Sequence, residues 1–350
     1  SLPVQALVNM THIQGADNTR LFESLNIPVI QTFSYRTNEP GKAWEQAASG
    51  INLNQVAIFL ALPETWGLIE PTVISEKRRD TIVPLTDQID RLLMRLRKLT
   101  ALQNLPNKDK KIALMLWNHP DNDKSISASG MNIPKSLVTL IPGMQQAGYQ
   151  FNSLDEQTLI ERLQQLLKAQ HQPTLRPELL KAGLADTLSV GLYYHWLSSL
   201  PKETAQQIRA EAGNPYTSDD VFQIDGKPVF IIPRLRLGNL NILPQPRRGS
   251  GSAHDYHDKH LVPSHQYLAT YLYLSRELQA DALIHFGTHG SQEWLPGKDR
   301  GLSAFDFPHL VLHDMPVFYP YIQDNIGEAI QAKRRGRATV ISHHTPAFSR

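Results

Sequence analysis

The sequence contains no cysteine among its 350 residues. That absence excludes disulfides, iron–sulfur clusters and thiolate metal sites, so any metal must be held by histidine, carboxylate or solvent. Long apolar runs are also lacking, and no stretch approaches the roughly 18 residues that span a bilayer. The first residues do not read as a signal peptide, and the expected location is cytoplasmic. Charge of one sign is not in excess: a formal net charge of +2 gives no argument for a polyanionic partner. A hydrophobic content of 41% and a charged content of 19% describe an ordinary globular chain, long enough for about two domains.

What is present starts with a βαβ rhythm. Pro28-Val29-Ile30 and Val56 to Leu60 read as buried strands, with a helix from Ala43 to Ala48 between them, which suggests a parallel sheet. Ala61-Leu-Pro-Glu64 then falls where ligand loops lie, or is a plain turn. From Thr86 to Gln103 apolar residues recur at helical spacing, and Arg91, Arg95, Arg97 and Lys98 make a solvated basic face or a partner surface. The polar stretch 104–111, with Pro106, marks a boundary between an N-terminal α/β domain over 1–107 and a second α/β domain over 108–350.

In the second domain, Lys111 to Trp117 reads as a strand, and His119-Pro120 leaves it for an exposed loop over 121–130. A helix from Pro134 to Gln146 is expected to kink or break at Pro142. Helices at Ser153–Gln170, Leu175–Ala182 and Lys202–Ala212 form a helical insertion around 153–215. Within it Tyr193-Tyr194-His195-Trp196 either floors a flat ligand or, more simply, packs the insertion. Val221 to Ile232 reads as a hairpin, Leu237 to Leu243 as a strand, and Gln266 to Leu278 as a helix. Leu310–Leu312 and Thr339–Ile341 are expected strands flanking a helix from Ile322 to Arg335, whose terminal Lys333-Arg334-Arg335 complements its dipole. The fold class is α/β, with doubly wound parallel-sheet domains and a helical insertion.

The stretch Ala282–Ser303, ALIHFGTHGSQEWLPGKDRGLS, concentrates the chemistry. A short apolar strand delivers His285, His289 and Glu293, evenly spaced, past its carboxyl end, where ligands sit in open α/β sheets. The histidine pair does not make a zinc-hydrolase HExxH helix, because Phe286 stands where the general-base glutamate belongs. Nor is it a Walker phosphate loop, since six residues separate Gly290 from Gly297 and Asp299 follows Lys298. Each residue alone could also be an ordinary core histidine or loop lysine. Upstream, Arg247 and Arg248 lie on a glycine-rich turn suited to carboxylate recognition. His254, His257, His260 and His265 crowd the next segment.

HFGTHGSQEWLPGK resembles the motif of the cobaltochelatase large subunit, the CobN type, and of the porphyrin-binding component of magnesium chelatase. Glu-Trp-Leu-Pro-Gly-Lys is closer to the cobalt branch. The likeness continues through Leu25–Gln31, Ala61–Glu64, Met131–Pro134 with Ala147–Tyr149, Gly238-Asn239 through Gln245–Gly249, Pro263–Ala269 and Ile341–Pro346. It implies a tetrapyrrole as substrate and Co2+, or alternatively Mg2+, as the metal inserted. It further implies ATP hydrolysis, with its Mg2+, on separate AAA+ partner subunits, and the chain itself shows no Walker motif. Members of this type are much longer, so the chain is expected to be a fragment of a multidomain subunit, truncated at its C-terminal end.

Metal insertion needs a flat apolar slot, weak exchangeable ligands and bases near the ring centre. The expected assignments follow from it. Glu293 is the principal base and a transient metal ligand, assisted by His289 and His285; burial should raise its pKa toward neutrality. Trp294 and Phe286 supply ring-facing surface. Lys298, Arg247 and Arg248 meet carboxylate arms. Asn239, His257 and His265 fall on family positions and are expected at the pocket, with His254 and His260 left on the surface. The alternatives are a tetrapyrrole-binding protein without insertion activity and a mononuclear metal hydrolase.

Overall fold

The protein's structure, a computed structural model, describes residues 4–13, 17–37, 43–117, 126–128, 131–249, 255, 257–287, 290–323 and 325–343. The first layer is a four-stranded sheet in sequence order. Its strands are β1 (Leu7–Asn9), β2 (Val29–Tyr35), β3 (Ile69–Arg78) and β4 (Thr81–Pro84). The first three are parallel and β4 returns antiparallel. Val56–Leu60, expected as a strand, is helical. Asn52 caps Leu53–Val56 by accepting from the Gln55 N–H at 2.9 Å, and the helix continues through a wide turn over Ala57–Ala61. Five apolar residues are too few for periodicity to separate the two conformations. The expected helix at Ala43–Ala48 shrinks to one turn, Trp44–Gln46.

The helix Thr86–Asn104 leads to β5 (Ile112–Leu116), five consecutive buried apolar residues, as a strand covered on both faces requires. A short hairpin, β6 (Ser127–Ala128) with β7 (Met131–Asn132), precedes the helix Ile133–Gln146. Asn132 caps that helix from the Lys135 N–H, and it runs through Pro142 unbroken. The span 153–215 is not all helix. It contributes β8 (Ala185–Ser189), which pairs with β10 (Lys227–Pro233); β9 (Val221–Ile224) lies on the other side of β10.

The six-stranded sheet adds β11 (Leu235–Leu237), β12 (Leu240–Pro244), β13 (Ala282–Phe286), β14 (Val317–Ile322) and β15 (Ala338–His343) to β5, in the order β11-β12-β5-β13-β14-β15. The expected single strand Leu237–Leu243 is thus two, folded at Gly238, whose φ of +65° and approach to the Gln150 carbonyl both require glycine. Leu310–Leu312, expected as a strand, closes a helix (Phe307–Leu312), with Pro308 near its start; it is apolar because the whole helix is buried. The strand of that region is β14, where Pro320 obscures the alternation. Numbered among themselves, the parallel strands run 2-1-3-4-5. Their direction of winding reverses between β5 and β13, and ligands bind beyond the carboxyl ends of such a pair. No helix among the described residues is long and apolar enough to cross a membrane.

Candidate active site

Strand alternation sorts the motif residues. His285 and Phe286 are neighbours in β13, so their side chains leave opposite faces of the sheet. Phe286 enters the core beside Leu116, Ile133 and Leu137 and is buried there, so it does not offer ring-facing surface as expected. His285 leaves by the other face and stacks on Tyr319, with ring centroids 4.8 Å apart and planes 14° from parallel. It is 1% exposed, and neither ring nitrogen has a hydrogen-bond partner among the described residues. Burial alone lowers its pKa to about 3 and keeps the imidazole neutral.

Tyr319 links that histidine to the acid. Its hydroxyl donates to Glu293 Oε2 at 2.8 Å, and the Gly290 N–H donates to Oε1 at 3.3 Å. Glu293 sits in the turn Gln292–Trp294 and is 0% exposed. Burial pushes its pKa up to about 7, outweighing the hydrogen bonds that favour the carboxylate. A carboxyl poised there can accept a proton near neutral pH. Two of the three expected chemical groups therefore converge. His289, like His254, lies outside the described residues. Among the described residues no three His, Asp or Glu side chains cluster as a metal site.

The turn is held by residues the sequence did not single out. A Cβ on Gly290 would stand 2.8 Å from His285 Nδ1, 2.9 Å from the Tyr319 hydroxyl and 3.1 Å from Gln245 Oε1, so only glycine fits between them. Gln245 Oε1 accepts from the Ser291 N–H at 2.9 Å, and its Nε2 donates to the Tyr271 hydroxyl at 2.8 Å. Arg335, 2% exposed, donates to the carbonyls of Glu293 at 2.7 Å, of Leu295 at 2.6 Å and of Lys298. It clasps the loop and is not merely a complement to its helix dipole. The loop's far end docks on the first layer, where Arg300 Nε donates to the Ile51 carbonyl and Gln88 Nε2 to that of Leu302.

The other expected residues divide. Trp294 is half-buried and packs edge-on against His257, centroids 4.7 Å apart; His257 in turn lies 3.7 Å from Glu328. Lys298 is nearly buried, with Nζ donating to the Glu45 carbonyl at 3.3 Å and lying 5.2 Å from the centre of the Trp44 ring. It still borders a cleft of about 620 Å³, together with Lys259, Pro296 and Phe305. Exposed His260 lines the same cleft. Arg248 is not a substrate anchor here: buried, it donates to the carbonyls of Asp258 at 2.6 Å and Leu261 at 2.9 Å. His265 is likewise structural, held between the Tyr193 hydroxyl and the Gly213 carbonyl at the start of helix His265–Arg276. Asn239 lies just before β12, at the amino end of the parallel strands, and donates to the Lys108 carbonyl. It faces a separate cavity of about 630 Å³ at the opposite edge from Glu293. Arg247 is half-buried and lines a third cavity of about 220 Å³.

The family model described as CobN/Magnesium Chelatase matches residues 1–350. The chain belongs to the CobN/magnesium chelatase family. Among similar members of that family, the aerobic cobaltochelatase subunit CobN of Pseudomonas aeruginosa is 34% identical over 93% of this chain and 26% of its own length. A magnesium-chelatase subunit of Chlorobaculum parvum is 30% identical over 88% of this chain and 24% of its own. The catalytic subunit of cobaltochelatase from Mycobacterium tuberculosis superposes with a TM-score of 0.81 at 29% identity, covering 97% of this chain and 30% of that one. The chain thus spans less than a third of the relatives it matches, as a fragment of a larger subunit does.

Proposed function

We propose that the chain is the part of a metal chelatase's tetrapyrrole-binding subunit that carries the proton-accepting site. Glu293 takes the two ring N–H protons one at a time as a divalent metal enters, passing the first to solvent before it accepts the second. The observation that carries this reading is a fully buried glutamate, its pKa raised to about 7, hydrogen-bonded to a tyrosine that stacks on a neutral histidine, beyond the sheet's switch point. His285, uncharged, offers a nitrogen lone pair and does not repel an arriving cation. Tyr319 holds the carboxyl and tunes its proton affinity. Trp294, half-buried against His257, is the aromatic surface nearest in sequence to Glu293 that a flat ring can meet. The cleft bordered by Lys298 and Lys259 falls within the size range of small-molecule sites.

Glu293 and His285 are enclosed, and the three cavities are lined by other residues. Insertion therefore requires a conformational step that opens Glu293 to the macrocycle. In this proposal partner ATPases of the AAA+ type drive that step in the cytoplasm, using ATP and Mg2+. The metal is Co2+ and the macrocycle a corrin precursor of the hydrogenobyrinic acid a,c-diamide type, as in cobalamin biosynthesis. The Glu-Trp-Leu-Pro-Gly-Lys sequence and the CobN relative favour that choice. Mg2+ and a porphyrin are the alternative, supported by the magnesium-chelatase relative. Absorbance titration with a corrin precursor and with protoporphyrin, side by side, tests the assignment. Tighter binding of the corrin is expected; tighter binding of protoporphyrin would move the protein to the magnesium branch, and binding of neither would overturn the proposal.

A further inference from the structure

We infer that the cavity between Arg176 and Arg247 is a pocket for one carboxylate arm of the macrocycle. The inference rests on the tetrapyrrole reading above. The cavity lies at the carboxyl end of β12, with Pro244 and Pro246 forming part of its wall and Ser264 and Gln266 another part. Gln245, between the two prolines, turns its side chain the other way and accepts from the Ser291 N–H two residues before Glu293. A single loop therefore has this cavity on one side and the Glu293 cluster on the other.

The chemistry of the wall favours an anion. Arg176 is 5% exposed; its Nη1 donates to Asp220 Oδ1 at 2.7 Å and to Gln266 Oε1 at 3.3 Å, while its Nε has no hydrogen-bond partner among the described residues. A buried guanidinium with a donor left over is costly unless an acceptor arrives. Arg247 adds a second guanidinium to the same wall. The positive end of the twelve-residue helix His265–Arg276, capped by Ser264, contributes in the same sense. At about 220 Å³ the cavity is too small for a macrocycle and suits a side arm.

The test pairs two probes with two variants. Protoporphyrin, with free carboxylate arms, and its diamide, with those arms neutralised, are titrated by fluorescence against the unchanged chain, Arg176→Gln and Arg247→Gln. The unchanged chain should prefer protoporphyrin, and each variant should weaken protoporphyrin by roughly tenfold while leaving the diamide within about twofold. Equal losses for both probes, or no loss for either, would overturn the pocket and leave the tetrapyrrole reading standing. Binding of neither probe to the unchanged chain would overturn the pocket and, where a corrin precursor also fails to bind, the tetrapyrrole reading with it. If melting shows Arg176→Gln to be unfolded, the half-buried Arg247→Gln decides alone.

Discussion

Tyr319 donates a 2.8 Å hydrogen bond to Glu293 while its ring lies flat on His285, so one side chain sets the environment of both the acid and the imidazole. The hydroxyl favours the carboxylate and restrains the rise that burial causes in the Glu293 pKa. Tyr319→Phe should let that pKa climb further. The pH profile of metal insertion should then move to higher pH by about one unit, with tetrapyrrole affinity little changed. Insertion rates measured from pH 6 to 9 check this, and an unmoved profile would separate Tyr319 from the proton acceptor.

The same burial makes a stability prediction. Glu293 has a pKa of about 7 when folded against 4.5 for an unperturbed glutamate. Between those values the unfolded chain gives up its proton first, so the folded state binds more protons and stability falls as pH rises. The loss amounts to roughly 3 kcal/mol by the time pH passes 7. Glu293→Gln cannot ionise and should gain on the native chain steadily between pH 5 and 7 and level off above that, read as urea midpoints.

His285 works in the opposite sense. Its folded pKa of about 3 lies below the ordinary 6.5, so stability is present above 6.5 and lost as pH falls toward 3, where only the unfolded chain is protonated. His285→Phe, which keeps the stack on Tyr319, should flatten the acid limb by about one proton. The residual slope belongs partly to His313, whose pKa burial also lowers to about 3, and to His309, pushed well down for the same reason.

Gly290→Ala tests the packing. The added methyl meets three polar atoms at 3.1 Å or closer, two of them on rings stacked within the core. An overpacking cost of about 1–3 kcal/mol is expected, read as a lower urea midpoint. Insertion activity should fall further than that loss of folded protein explains, because His285, Tyr319 and the Ser291 N–H all shift with the turn.

Much of this was legible in the sequence, for reasons that can be named. The apolar run Ala282–Ile284 before a doubled glycine turn placed Glu293 past a strand end, as found, whereas His285, expected past that end too, lies within β13. Burial, the largest cause, gives the expected rise of the Glu293 pKa. The parallel order could be inferred from the β–α rhythm, although one supposed strand of the first layer, Val56–Leu60, is helical and β3 replaces it. What sequence patterns could not supply were long-range partners. Arg335 clasps a loop about forty residues away, Gln245 reaches Ser291 across the sheet, and Tyr319 sits on a strand disguised by Pro320. Arg248 and His265 matched the family pattern, yet their donors and acceptors are taken up by the protein's own backbone and side chains.

The central claim is that Glu293 accepts, one at a time, the protons displaced by the metal. Glu293→Gln keeps the shape and the Tyr319 contact while removing the proton acceptor. Tetrapyrrole affinity should stay within about twofold, while insertion in the presence of the partner ATPases should fall by at least about a hundredfold. Insertion at the native rate by that variant would contradict the account.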